Sequence, residues 1–372
     1  MRRINELTTR YGRSARLAVI VAALIGTIPV PAASSGSGSE DNGNDQGREQ
    51  LPQGSVWVVN RDAGDLTVFE ARTGAVIATV SIGVGTAPHD VCISERSKKA
   101  YVTAEGVDEV VVVDLRTLRM QSVTVAPLPH HCEVSHDGTT LYVSLASHTA
   151  AVGSPRVAVI DTESNAVSYI TTSDDPAARS HGLFTSREGD KLFVAHDIGN
   201  ALSVVDLDTG LVELNIPGIA RAEEPIPTRF GNSVWVSARG ENSVKLFDLD
   251  TQTLTANIPI EGAQPESVML TPSERTLAIT LRGSPAALAF VDSVNLESLG
   301  SVVFPLNGMT FGDLGVMTND GRYVYATYDR GITGAGGVAV IDVRRREFVD
   351  SFDYPAVGRP HGIAITRRRP HQ

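Results

Sequence analysis

An acidic residue closes a β-branched run seven times along this chain, at Glu70, Asp114, Asp161, Asp206, Asp248, Asp292 and Asp342. The intervals are 44, 47, 45, 42, 44 and 50 residues. Each interval repeats one grammar. A short segment such as Asp90-Val-Cys-Ile-Ser94 is followed by a turn such as Ser135-His-Asp-Gly138. Next come an aromatic run (Trp57-Val, Tyr101-Val, Tyr142-Val, Phe193-Val, Trp235-Val), a Val-rich run ending in the acid, and a last run such as Gln121-Ser-Val-Thr-Val125. Short β-branched runs split by Gly, Asp and Asn are strands. Four strands in roughly 44 residues are the period of a propeller blade. No apolar stripe of helical period interrupts them. The closing acids read as turn formers rather than calcium ligands, as in Asp206-Leu-Asp-Thr-Gly210.

The ends of the repeat predict how the ring closes. The unit at Ser55 begins on its aromatic strand and lacks an inner strand, whereas Pro360–Thr366 is an inner strand with nothing after it. The C-terminal strand is therefore expected to complete the first blade, giving an all-β, seven-bladed propeller over residues 51–367. Two units depart from the pattern: Leu277-Ala-Ile-Thr and Tyr323-Val-Tyr lack the aromatic at its expected place.

Residues 2–16 hold five arginines against Glu6, followed by an apolar run from Leu17 to Pro31 and the small residues around Val30-Pro31-Ala32. A basic start, a short apolar core and a small-residue exit read as a secretory signal over residues 1–32. The alternative is an N-terminal membrane anchor, for which the run is short and broken by Pro and Gly. Cleavage takes five arginines and one glutamate away, so the net charge goes from −11 to −15. Residues 33–50 are a Ser/Gly/Asp tether, and residues 368–372 a short tail. An acidic chain of this kind is a poor partner for nucleic acid. A secreted monomer with no membrane span after processing is the expectation.

Aligning the units on the Ser or Thr that ends each inner strand, and counting back five, gives His89, His130, His181, Glu223, Glu266, Asp313 and His361. Four histidines fall on consecutive blades and three acids fill the rest, where seven strands enter one mouth of the central channel. His131, His148, His196, Asp197 and Asp90 are expected beside them, on the same face. Imidazoles and carboxylates converging on an axis form the ligand set of Zn²⁺, with Cu²⁺ the alternative. Asp90 and Asp197 can also accept imidazole N–H groups. Arg61, Arg239, Arg282 and Arg330 occupy matching loops on that face and can hold a carboxylate or phosphate. Cys92 and Cys132 lie in adjacent inner strands, as a disulfide or as two buried thiols.

Pro360-His-Gly-Ile-Ala-Ile-Thr366, Leu141-Tyr-Val-Ser144 and Val157-Ala-Val-Ile-Asp-Thr162 resemble the YVTN-repeat (YncE-like) β-propeller family, over about residues 55–366. That resemblance implies the propeller fold. It covers lactonase-like enzymes, surface proteins and metal-handling proteins, among them periplasmic metallochaperones that deliver zinc to a transport system. The His-rich flexible segments of those metallochaperones have no counterpart in residues 33–50. Three functions follow as expectations. The first is a non-enzymatic metal-binding or metallochaperone-like protein. The second is a metal-free surface scaffold that takes a protein partner on the histidine face. The third is a metal-assisted lactonase or hydrolase with Glu223, Glu266 or Asp313 as general base.

Overall fold

The structure, a computed structural model, describes residues 51–147, 156–175, 177–261, 264–305, 311–330, 336–354, 358–367 and 370. They belong to one compact unit, Gly43–Gln372. The expected signal and tether (residues 1–50), His148 and His371 lie outside the described residues. Among the described residues no helix is long and apolar enough to cross a membrane.

The described residues form twenty-eight strands in seven four-stranded antiparallel sheets. Six sheets run in sequence order from inner to outer strand. The first is built from Pro360–Thr366, Ser55–Asn60, Asp65–Glu70 and Val76–Ser81, in that order. The C-terminal strand thus closes the ring, as the repeat predicts. Inner strands of successive blades contact one another all the way round, including the last blade against the closing strand and that strand against the second blade.

Apolar residues pack between blades. Trp57, Tyr101, Tyr142, Phe193 and Trp235 are buried at the third position of their strands. The register corrects one expectation. The first residue of each second strand faces the closing acid, as Ser55 faces Glu70 and Tyr323 faces Asp342. Tyr325, fully buried, is therefore the seventh blade's third-position aromatic, and only the sixth blade departs, with Ala278. The closing acids are bonded within their own turns. Asp114 Oδ1 accepts from the Thr117 N–H at 2.7 Å, the Thr117 hydroxyl at 2.8 Å and the Arg116 N–H at 3.0 Å. Those bonds, the Thr117 N–H first, hold its carboxyl below the ordinary range. Asp161, Asp206 and Asp248 repeat the device with Ser164, Thr209 and Thr251.

One irregularity recurs in all seven blades. Where the inner strand enters the channel, its pairing with the second strand slips around two residues. They are His89–Asp90, His130–His131, His181–Gly182, Glu223–Glu224, Glu266–Ser267, Asp313–Leu314 and His361–Gly362. Such a bulge re-aims side chains and frees backbone groups from the ladder. Hydroxyls two residues after the third-position residue take up those groups. Thr103, Ser144, Ser237 and Thr280 accept the N–H of Asp90, His131, Glu224 and Ser267 at 2.9–3.0 Å. Thr103, Ser237 and Thr327 also donate to the carbonyls of His130, Glu266 and His361 in the next blade, at 2.6–2.7 Å. The bulges therefore fix the residues at the channel mouth.

Candidate metal centre

The bulges bring five imidazoles into one cluster. Ring centroids stand 3.6 Å apart for His89 and His130, 4.0 Å for His89 and His361, and 5.0 Å for His89 and His131. His130, His131 and His181 are mutually 4.6–4.7 Å apart. All five are buried. His131, expected only as a neighbour of the ring, stands inside it. His89, His130 and His131 each offer a nitrogen within 4.8 Å of the other two. Tetrahedral ligands on zinc stand roughly 3.4 Å apart, so small ring movements bring the three onto one ion.

The polar contacts divide three of the imidazoles, His130, His131 and His361, into an anchored and a free nitrogen. His130 Nδ1 meets the Glu105 carboxylate, His131 Nδ1 meets Asp90 at 3.3 Å, and His361 Nε2 meets Asp313 at 2.8 Å. Their opposite nitrogens, His130 Nε2, His131 Nε2 and His361 Nδ1, are buried without a hydrogen-bond partner, as is His89 Nδ1. A carboxylate on one nitrogen and a vacant lone pair on the other is how proteins orient metal-binding histidines. His181 is different, because both its nitrogens face Glu223, Nδ1 at 3.1 Å from the carbonyl and Nε2 at 3.0 Å from the carboxylate.

Charge follows this pattern. Burial first, then the neighbouring His130 and His361, lowers the His89 pKa well below its ordinary value. Burial, partly countered by Glu105, lowers His130 to about 4. Burial and His131 lower His181. These imidazoles are neutral at pH 7, the form that binds a metal. His131 is the exception. Burial opposes its charge most, but the hydrogen bond and charge of Asp90, with Glu224 and Glu266, outweigh it and raise the pKa to about 9.

The acids of the ring are engaged by arginines. Arg239 Nη1 lies 2.9 Å from both Glu223 and Glu266, and Arg282 lies 3.7 Å from Glu266 and 3.4 Å from Asp313. Burial and the nearby Glu266 charge raise Glu223 to about 8 against the pull of Arg239. His181, Glu223 and Glu266 also have ligating atoms within 4.8 Å of one another. A cation there would share its carboxylates with Arg239, which makes the histidine group the better site. Arg61 pairs with Glu105 and Arg330 with Asp353. Each of the four loop arginines thus faces an acid of the protein.

His196 stands apart from the cluster. Its Nε2 meets the Ser203 hydroxyl at 2.9 Å and its Nδ1 the Ser180 hydroxyl at 3.5 Å. Asp197 is clamped by Arg179. Glu105 escaped the sequence count because it belongs to a second ring, the seventh residue from the start of each second strand: Arg61, Glu105, Ala146, Asp197, Arg239, Arg282 and Asp329. Counting that position finds the charged collar. Below the cluster the channel opens into a cavity of about 480 Å³, whose wall includes Asp90, His131, Glu133 and Glu224.

No family matches. No protein-family model fits the chain, and no curated protein is similar to it. Solved structures are similar in fold. Kuenenia stuttgartiensis hydrazine synthase aligns at TM-score 0.65 and 18% identity, over 84% of this chain and 99% of that one. The dihydro-heme d1 dehydrogenase NirN, in complex with DHE, aligns at 0.58 and 17%, over 84% and 75%. A functionally unknown protein from Desulfotomaculum acetoxidans aligns at 0.64 and 12%, over 85% and 99%. At such identities the likeness establishes the propeller fold alone.

Proposed function

We propose that this propeller is a secreted metal-binding protein that holds one transition-metal ion, zinc with copper(II) as the alternative, on His89, His130 and His131. The observation that carries this reading is the set of buried imidazoles with one unpartnered nitrogen each, three of them anchored through the other nitrogen by Glu105, Asp90 and Asp313. An unmet buried polar atom costs about 1–3 kcal/mol. Several together disfavour the metal-free state, and an ion relieves them. The basic-then-apolar leader and a disulfide between Cys92 and Cys132 support an oxidising compartment. Titration calorimetry of the wild type and of Glu105→Gln tests this reading. The variant keeps the fold but loses the charge that orients His130, and its affinity falls about 10–100-fold. Equal affinities would contradict the assignment.

Metal uptake is also expected to release a proton. His131 carries one up to about pH 9, and its free nitrogen binds an ion only after losing it. Affinity should therefore rise about tenfold per pH unit from pH 7 to pH 9 and then level. Calorimetry at pH 7.5 in buffers of different ionisation heat reads close to one proton per ion. Zero protons would place the site without His131.

One observation favours a second reading, a metal-assisted hydrolase. His131 and Glu224 both border the 480 Å³ cavity, so an ion on His131 would face space for a substrate. Chelator-sensitive turnover of a lactone or ester panel would establish it. Inactivity with metal fully bound favours the binding protein.

A further inference from the structure

A second group of ligating atoms lies deeper in the channel, and its two sulfurs take no part in the histidine site. Asp90, Cys92 and Cys132 each present a carboxylate oxygen or sulfur within 4.8 Å of the other two. The two sulfurs are joined in a disulfide between the inner strands of adjacent blades, with Cα atoms 5.9 Å apart. Both cysteines border the 480 Å³ cavity. That cavity shares Glu133, Val134, Phe184, Ile226, Leu270, Met317 and Asn319 with a cavity of about 690 Å³ at the opposite mouth. A small reductant therefore has a route to the bridge from the end away from the histidines. Asp90 connects the two groups, since one oxygen, Oδ2, faces both His131 Nδ1 and the Cys132 N–H, at 3.3 and 3.2 Å.

We propose that the Cys92–Cys132 disulfide is reducible in the folded protein and that its reduction creates a second metal site, built from the two thiolates and Asp90. The electrons come from a dithiol. One of its thiolates attacks a bridge sulfur, forming a mixed disulfide and releasing the other cysteine as a thiolate. The second thiol of the donor then displaces the first cysteine and leaves as a cyclic disulfide. Two electrons and two protons reach the protein, and metal binding expels the protons. The freed sulfurs part to the roughly 3.8 Å that two thiolates on one ion require. Thiolates select soft or borderline ions, zinc and copper(I). Because Asp90 anchors His131, an ion on the thiolates draws on the same carboxylate. The redox state of the bridge then sets how many ions the channel holds.

Cobalt(II) is the probe, used on the full chain. Oxidised protein is compared with protein reduced by a small dithiol and desalted without oxygen, and free thiols are counted in both. Reduced protein, with two thiols per chain, is expected to take one more cobalt than oxidised protein and to show a near-ultraviolet sulfur-to-cobalt charge-transfer band. The band is absent from oxidised protein and from Cys92→Ser/Cys132→Ser. Asp90→Asn keeps the band but needs at least tenfold more cobalt to saturate it. No thiols released under native conditions, two thiols without a band, or a band in the double-serine variant would each overturn the proposal. The histidine site is read from the sulfur-free visible absorption of the oxidised sample, so its failure shows separately. The wild-type comparison needs no variant to fold.

Discussion

A chain cut after Arg359 is expected to lose its cooperative unfolding transition. The cut removes the closing strand Pro360–Thr366 and leaves the buried strand Ser55–Asn60 as an open sheet edge. Ile363 leaves a core shared with Leu51, Val56, Val58, Leu314 and Tyr325, and Ala364 leaves the one around Trp57. The Thr327 hydroxyl loses the His361 carbonyl, and Asp313 loses the His361 ring while Arg282 stays beside it. The lost burial and ladder bonds are comparable with the whole stability of a domain, about 5–15 kcal/mol. Near-ultraviolet circular dichroism should show no sharp melt. A cut after Pro370 spares the strand and the buried Pro370 and should leave the melting temperature within about 2 °C. A sharp melt in the shorter chain would mean that the ring does not depend on its closure.

His89→Ala with His130→Ala is expected to abolish metal binding while leaving the propeller folded. The pair removes two of the three imidazoles that can share an ion. The cavity it creates is destabilising, but the variant also removes two buried nitrogens without partners, each costing about 1–3 kcal/mol. These effects oppose each other, so the metal-free melting temperature moves little. Zinc should separate the proteins. At a free concentration 100 times the dissociation constant, a ligand stabilises the folded state by about 2.7 kcal/mol. That raises the wild-type melting temperature by roughly 5 °C and the variant's not at all. An equal rise in both would place the ion elsewhere.

The fold was almost wholly legible because the repeat states it seven times. Blade number, strand order and ring closure all follow from the spacing of the closing acids and from the orphan inner strand at Pro360. The seventh-blade aromatic was misplaced because Tyr323 and Tyr325 both fit a loose alignment, and only pairing to Asp342 chooses between them. The mouth was legible one position at a time. Counting from the strand ends finds His89, His130, His181, Glu223, Glu266, Asp313 and His361, but a count of one residue per blade cannot show a bulge that turns two residues inward. His131 was therefore underrated. The count marks Glu223, Glu266 and Asp313 as candidate ligands but does not show the arginines beside them, which come from a different ring of the repeat, because electrostatic pairing between rings depends on distance rather than spacing. His196 has the right chemistry on the right face, but its strand runs on through Ile198 and carries it between Ser180 and Ser203.

The most direct test of the central claim is zinc X-ray absorption, with metal content, on oxidised protein purified without a histidine tag. After zinc loading and dialysis, close to one zinc per chain should remain, with at least three imidazole nitrogens at about 2.0–2.1 Å. Protein that retains no zinc, or zinc surrounded only by oxygen, would contradict a metal centre on His89, His130 and His131.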